Sequence, residues 1–183
     1  MQTNIQIHRA SSLEDPALLE GLSELLADCV EGGASVSFMQ PFTHARAEKF
    51  WRSVAAGVAA GERILLTAQD RHGAILGTVQ VVLSQPENQP HRAEIAKLLV
   101  HRKARKQGLG EKLMIAAEQA AAGAGKSMLV LDTASDSAER LYKRLGWQVS
   151  GVIPDYALLP QGGLCATTIF YKRVDAGSRP ASS

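Results

Sequence analysis

The stretch AEIAKLLVHRKARKQGLGEKL, Ala93 to Leu113, constrains this chain more than any other. It passes from an apolar, strand-like segment through a basic loop into glycines that open a helical pattern. Arg102, Lys103, Arg105, Lys106 and Lys112 crowd the passage, with His101 beside them. A cluster of that kind meets an anion, and the elements around it indicate which one. A helix N-terminus carries unpaired N–H groups and a partial positive charge, and glycines there let a phosphate reach the backbone. The junction therefore reads as a seat for the phosphates of one small molecule. Gly108, Leu109 and Gly110 supply the backbone, and Arg105, Lys106 and Gln107 supply donors at the rim.

The whole-chain charge supports that choice over a polyanion. The 183 residues carry a net charge of only +2, so acids elsewhere balance the basic loop. Proteins that hold nucleic acid by bulk electrostatics are more basic than this, and no stacking-aromatic motif is present. No nucleic-acid partner is expected. No stretch approaches the roughly 18 consecutive apolar residues of a membrane span, and MQTNIQIHRA lacks the pattern of a secretory leader. A soluble cytoplasmic protein with no membrane partner follows as the expectation. Cys29 and Cys165 sit in apolar segments outside any C-x-x-C pair and read as reduced, buried thiols. The five histidines are scattered, and no metal is expected.

Elsewhere the elements follow from periodicity and punctuation. Ile5 and Ile7 alternate in a first strand. Asp15-Pro16 starts a helix that Gly32-Gly33 stops, and Thr43 caps a second that Gly61 ends. RILLTAQ and AILGTVQVVLS flank the turn Asp70–Gly73 as a hairpin. After the glycine-started helix, MLVLD reads as a buried strand and Ser137–Leu145 as a helix stopped by Gly146. WQVSGVI and CATTIFYKRV are the last strands, and the tail from residue 175 to 183 reads as disordered. The order gives a mixed sheet with helices on its faces, an α+β chain with one domain over residues 1–174.

The loop contains neither a Walker A motif nor G-x-G-x-x-G, because position 113 is Leu113. It does match R-x-x-G-x-G from Arg105 to Gly110, a short pattern that a solvated basic loop could also show. Its surroundings are more specific. The preceding strand closes on Leu99-Val100, and AERLYKRLGW follows after the next strand, with Tyr142, Leu145, Gly146 and Trp147. This combination resembles the acetyl-CoA-binding core of the GCN5-related N-acetyltransferases, or GNAT family, over about Ile5 to Arg173. VEGGASVSFM, RAEIAKLLV and LDTASDSAERLY are most similar to its tabtoxin-resistance type.

The resemblance implies a mostly antiparallel twisted sheet of about seven strands, a parallel pair splayed at the acyl-CoA site, and about four helices. It implies acetyl-CoA as co-substrate and a small-molecule amine as acceptor; a homodimer is allowed. Leu98, Leu99 and Val100 would line the pantetheine with their main chain, and an N–H at Leu99 or Val100 would face the acyl oxygen. Tyr142 would be the general acid for the departing thiolate, although it could simply pack. Glu94 and Asp132 would flank the amine; alternatively Glu94 pairs with Arg92 or Lys97, and Asp132 caps the next turn. Ser35, Ser37, Phe38 and Met39 would wall the acceptor side. Two positions depart from the family pattern: Lys106 stands where many relatives have glycine, and Ser135 where many have asparagine. Ser135 can still touch pantetheine or cap the helix. A peptide N-terminal acetyltransferase and a non-catalytic acyl-CoA sensor are the alternatives.

Overall fold

In the computed structural model, residues 5–175 are described; the leader reading at residues 1–4 and most of the expected disordered tail, residues 176–183, lie outside them. The strands are β1 (Gln6–Ala10), β2 (Arg63–Gln69), β3 (Ile75–Val82), β4 (Arg92–Val100), β5 (Met128–Thr133), β6 (Gln148–Leu158) and β7 (Leu164–Arg173). The helices are α1 (Pro16–Glu31), α2 (His44–Ala59), α3 (Leu109–Gly123) and α4 (Asp136–Arg144). The strands form one sheet in the order β1-β2-β3-β4-β5-β7-β6, antiparallel except between β4 and β5. This is the expected mixed fold.

The helix boundaries follow their caps. The Asp15 carboxylate accepts from the Ala17 N–H with Pro16 in the first turn, and Thr43 Oγ1 accepts from the Arg46 N–H. Each face of the sheet buries its own core. Leu22, Leu25, Leu26 and Trp51 of α1 and α2 cover Leu65 and Leu99 on one face. Leu109, Leu113, Met114 and Ala117 of α3 pack with Val79, Val81, Leu129 and Phe170 on the other. The Leu-Gly-Trp step after α4 is anchored rather than merely turned. Trp147 Nε1 donates to Glu118 at 2.7 Å, and Lys172 Nζ donates both to Glu118 and to the Leu145 carbonyl.

Two strands differ from expectation. MLVLD is apolar enough to be covered on both faces, but only Leu129 and Leu131 of β5 are buried, while Asp132 on the other face is exposed. α1 and α2 stop short of β5, which leaves that face open as a cleft wall. β6 continues to Leu158, past its expected end, through an irregular register between Ile153 and Ala157 where Asp155 takes φ 51°. As the edge strand it is mostly exposed, so its alternation is weak.

Candidate active site

The site begins where the sheet comes apart. β4 and β5 pair for three residues, Arg92–Glu94 against Met128–Val130, and then separate. Beyond Glu94 the main-chain groups of β4 that would meet β5 have no strand partner. A β-bulge widens the gap: Gln80 lies opposite Ala96 but Thr78 lies opposite Leu99, so Lys97 and Leu98 together face one residue. Lys97 takes φ 52° to do so, a left-handed conformation that costs a side-chain-bearing residue about 1–2 kcal/mol. The His101 N–H donates to Leu76 of β3 at 2.9 Å. Strand alternation therefore turns the N–H of Val100, rather than that of Leu99, into the gap.

A cleft of about 1090 Å³ runs through this gap, larger than a single drug-sized ligand needs. Leu98, Leu99, Val100, Arg105, Lys106, Gly108, Leu109, Gly110 and Ser135 line it, as do Glu94, Asp132 and Tyr142. The resemblance-based set thus converges on one place, apart from Gln107, whose side chain donates to the Lys103 carbonyl at 3.2 Å and closes the loop. A shallower hollow of about 780 Å³ between α1 and α2 offers none of these main-chain groups.

At the end of the cleft beside α3, Arg102–Ala104 form a single 3-10 turn before the chain enters α3. Gly108 is the N-cap residue with φ 75° and open space where a Cβ would point, so the fold itself asks for glycine there through backbone conformation. Gly110 has a different role: a Cβ there would come within 3.2 Å of Leu141 on α4. Lys106 takes φ 61°, which gives a physical reason for glycine at that position in relatives. The basic side chains divide the work. Arg102 turns away and binds Asp28 and Glu31 of α1, while Arg105 lines the cleft and donates to the Val100 carbonyl at 3.2 Å. Burial would raise the Asp28 carboxyl, but the Arg102 N–H and guanidinium, with His101 nearby, outweigh it and hold the acid low.

On α4, Tyr142 is buried against Phe170 and Trp147, with ring centroids 5.6 and 6.1 Å away. Its hydroxyl has no hydrogen-bond partner among the described residues, and the residue borders the cleft. Burial, then the Asp132 charge, push the phenol well above its usual range, so it remains protonated and able to donate. Asp132 does not cap the next turn, a role taken by Thr133, whose Oγ1 accepts from the Ser135 N–H. Asp132 instead accepts from Thr167 Oγ1 at 2.7 Å, which aims it across β7. Glu94 is exposed and forms no ion pair with Arg92 or Lys97 among the described residues; Arg92 Nε donates to Gln89. Ser135 N-caps α4 by accepting from the Ala138 N–H at 3.3 Å.

The opposite wall is the segment after α1, with Ser35, Ser37, Phe38 and Met39 on the cleft. Phe38 is held by Phe42 and Phe50, and the Gln40 N–H donates to Pro160, tying the segment to the β6–β7 hairpin. Ser35 Oγ lies 3.8 Å from Cys165 Sγ; both cysteines are free, Cys29 buried and Cys165 half-buried. Sequence reasoning missed Lys97, whose Nζ donates to Ser37 Oγ at 3.0 Å across the cleft. The available signal was a lysine interrupting the apolar run AEIAKLLV. Among the described residues, three of the four non-glycine positions with positive φ, Ser37, Lys97 and Lys106, border this cleft. Among the described residues no three side chains form a metal-binding group, and no helix is long and apolar enough to cross a membrane.

Comparison with known proteins agrees with this geometry. Residues 20–147 match the family model described as "Acetyltransferase (GNAT) family". An uncharacterized N-acetyltransferase from the hisH-hisA intergenic region of Azospirillum brasilense is 29% identical over 132 residues, covering 71% of this chain and 76% of that protein. An N-acetyltransferase structure from Staphylococcus aureus superposes with a TM-score of 0.76 at 15% identity, covering 93% of this chain and 99% of that one. A phosphinothricin acetyltransferase from Sinorhizobium meliloti, solved with acetyl-CoA, gives a TM-score of 0.76 at 16% identity, covering 100% and 94%. At these identities the two structures establish the shared fold.

Proposed function

The chain belongs to the acetyltransferase (GNAT) family, and from that premise we propose that it moves the acetyl group of acetyl-CoA to the primary amine of a small molecule, by direct attack with both substrates bound. The observation that carries this reading is the parting of β4 and β5 after Glu94, which opens a cleft shared with the N-terminus of α3. One elongated cleft thereby offers an unpaired strand edge, an anion-binding helix end, a protonated phenol and two carboxylates.

Acetyl-CoA supplies an activated thioester. The Gly108–Gly110 backbone and Arg105 would hold its phosphates, and the Leu98–Val100 main chain its pantetheine arm. The Val100 N–H stands ready for the acyl oxygen. Asp132, oriented by Thr167, and Glu94 would hold the incoming ammonium and accept its proton directly or through water. Tyr142 would return a proton to the departing sulfur. Holding the pair in line supplies much of the acceleration.

The acceptor we propose is a toxin- or antibiotic-like amine. This is supported by the similarity of VEGGASVSFM, RAEIAKLLV and LDTASDSAERLY to the tabtoxin-resistance type and by the enclosing segment from Gly32 to Met39. Free Cys29 and Cys165 fit a reducing, cytoplasmic setting. The test is a free-thiol assay with acetyl-CoA across a panel of amines. Amine-dependent thiol release supports the reading; absence of both cofactor binding and release would end it.

A further inference from the structure

We propose that Lys97 is itself an acetyl acceptor: with acetyl-CoA bound and the acceptor side empty, its Nζ takes the acetyl group and becomes an amide. The inference rests on the reading that the cleft holds acetyl-CoA, and it adds a self-modification site to that activity.

The geometry begins with the bulge. Lys97 immediately precedes Leu98–Val100, the main chain expected along the pantetheine, and its φ of 52° removes it from strand alternation. Its side chain enters the cleft and ends 3.0 Å from Ser37 Oγ on the facing wall. That places a primary amine across the space an external amine must occupy. A lysine serving only as structure would normally be paired, yet among the described residues Lys97 has no carboxylate within 4.0 Å.

The surrounding groups favour a reactive form. Asp132 faces Lys97 from β5, Arg63 from β2 and Ser37 from the segment after α1, while Glu94 precedes it on its own strand. Burial, aided by Arg63 and opposed by Asp132, lowers the Lys97 amine below its usual range. More of it is then neutral, with a lone pair free to attack. Ser37 can position either form, because a hydroxyl both donates and accepts.

The step balances without redox chemistry. A bond forms between Nζ and the acyl carbon, and the carbon–sulfur bond breaks. The nitrogen gives one proton to Asp132 or water, and the sulfur leaves with its electron pair and takes one proton from Tyr142 or water. The products are acetyl-lysine at position 97 and free CoA. The modified side chain loses its charge and gains bulk in the acceptor space, so it would slow turnover of external amines.

The test incubates the full chain with acetyl-CoA and maps acetylated peptides over time. Lys97 should gain one acetyl group on the order of tenfold faster than exposed Lys103 or Lys112, because a cleft-held pair reacts as one molecule. Excess free CoA should suppress the reaction at Lys97 and leave the exposed lysines unaffected. Lys97→Arg should lose that acetylated peptide. A second measurement needs no cofactor: trace labelling of the free protein with acetic anhydride across pH. Lys97 should reach half its reactivity at a pH below the usual lysine range. Unmodified Lys97 in protein that binds acetyl-CoA and turns over amines would overturn this proposal alone. Failure to bind acetyl-CoA would overturn it together with the function. Labelling of Lys97 in step with the exposed lysines would remove its chemical basis.

Discussion

The loop from Arg102 to Gly108 and the bulge at Lys97 both force the backbone into left-handed space beside the same cleft, and they do so for different ends. In the loop, positive φ at Lys106 and Gly108 gathers backbone N–H groups at the start of α3, and Arg102 clamps the turn to α1. In the bulge, positive φ at Lys97 breaks the match between β4 and its neighbours and leaves Val100 facing an open gap. Under the proposed function, one device would present donors to the cofactor's phosphates, and the other would open the sheet to its pantetheine arm and the acyl group. Changes in the loop should therefore act on stability and cofactor affinity, and changes around the gap on the chemical step.

The sharpest way to break that division is Tyr142→Phe. The ring packing against Phe170 and Trp147 survives while the proton source goes. Thiol release per bound cofactor should fall about 100-fold or more with acetyl-CoA affinity nearly unchanged. A fall of only a few-fold would reduce Tyr142 to a core residue. Next is Asp28→Asn, which weakens the tie to Arg102 and should lower the denaturant midpoint. Its pH dependence provides a second check. Against burial, the Arg102 N–H and guanidinium, with His101 nearby, hold Asp28 below the usual carboxylate range in the folded chain, so its contribution is full above that range and lost as pH falls through the lower folded one. The variant should lack that part of the acid loss; an unchanged acid profile would count against the clamp.

Smaller effects separate the two left-handed positions in the loop. Gly108→Ala should cost about 1–2 kcal/mol, because alanine pays for φ 75°. Lys106→Gly should go the other way, relieving φ 61° for a net gain under about 1 kcal/mol once the flexibility of glycine is counted. Thermal unfolding measures both. If Lys106→Gly destabilises, the lysine side chain contributes more to the loop than its backbone conformation costs.

Local and distant causes divide what could be read in advance. Asp15-Pro16, Thr43 and the glycine stops act within a few residues, so the helices stand in the text of the chain. R-x-x-G-x-G and the Leu-Gly-Trp step are local as well, and they carry the resemblance from which a phosphate seat and a role for Tyr142 are expected. The register slip at Lys97 depends on β3 and β5, which no short pattern encodes. Arg102 reads locally as a solvated cation or one reaching an outer phosphate, because its partners lie 74 and 71 residues earlier. For Asp132 the local pattern allows both a turn cap and a site acid, because Thr167, 35 residues later, is brought to it only by β7. The half-open face of β5 was hidden for the same reason: its composition is apolar, but the reach of α1 and α2 decides what is covered.

Amide hydrogen exchange with and without acetyl-CoA tests the central claim most directly, because the claim concerns main-chain N–H groups. The cofactor should slow exchange at Val100 and through Gly108–Glu111, and leave β1 and β2 unchanged. Binding that leaves Val100 and the start of α3 unprotected would contradict the account.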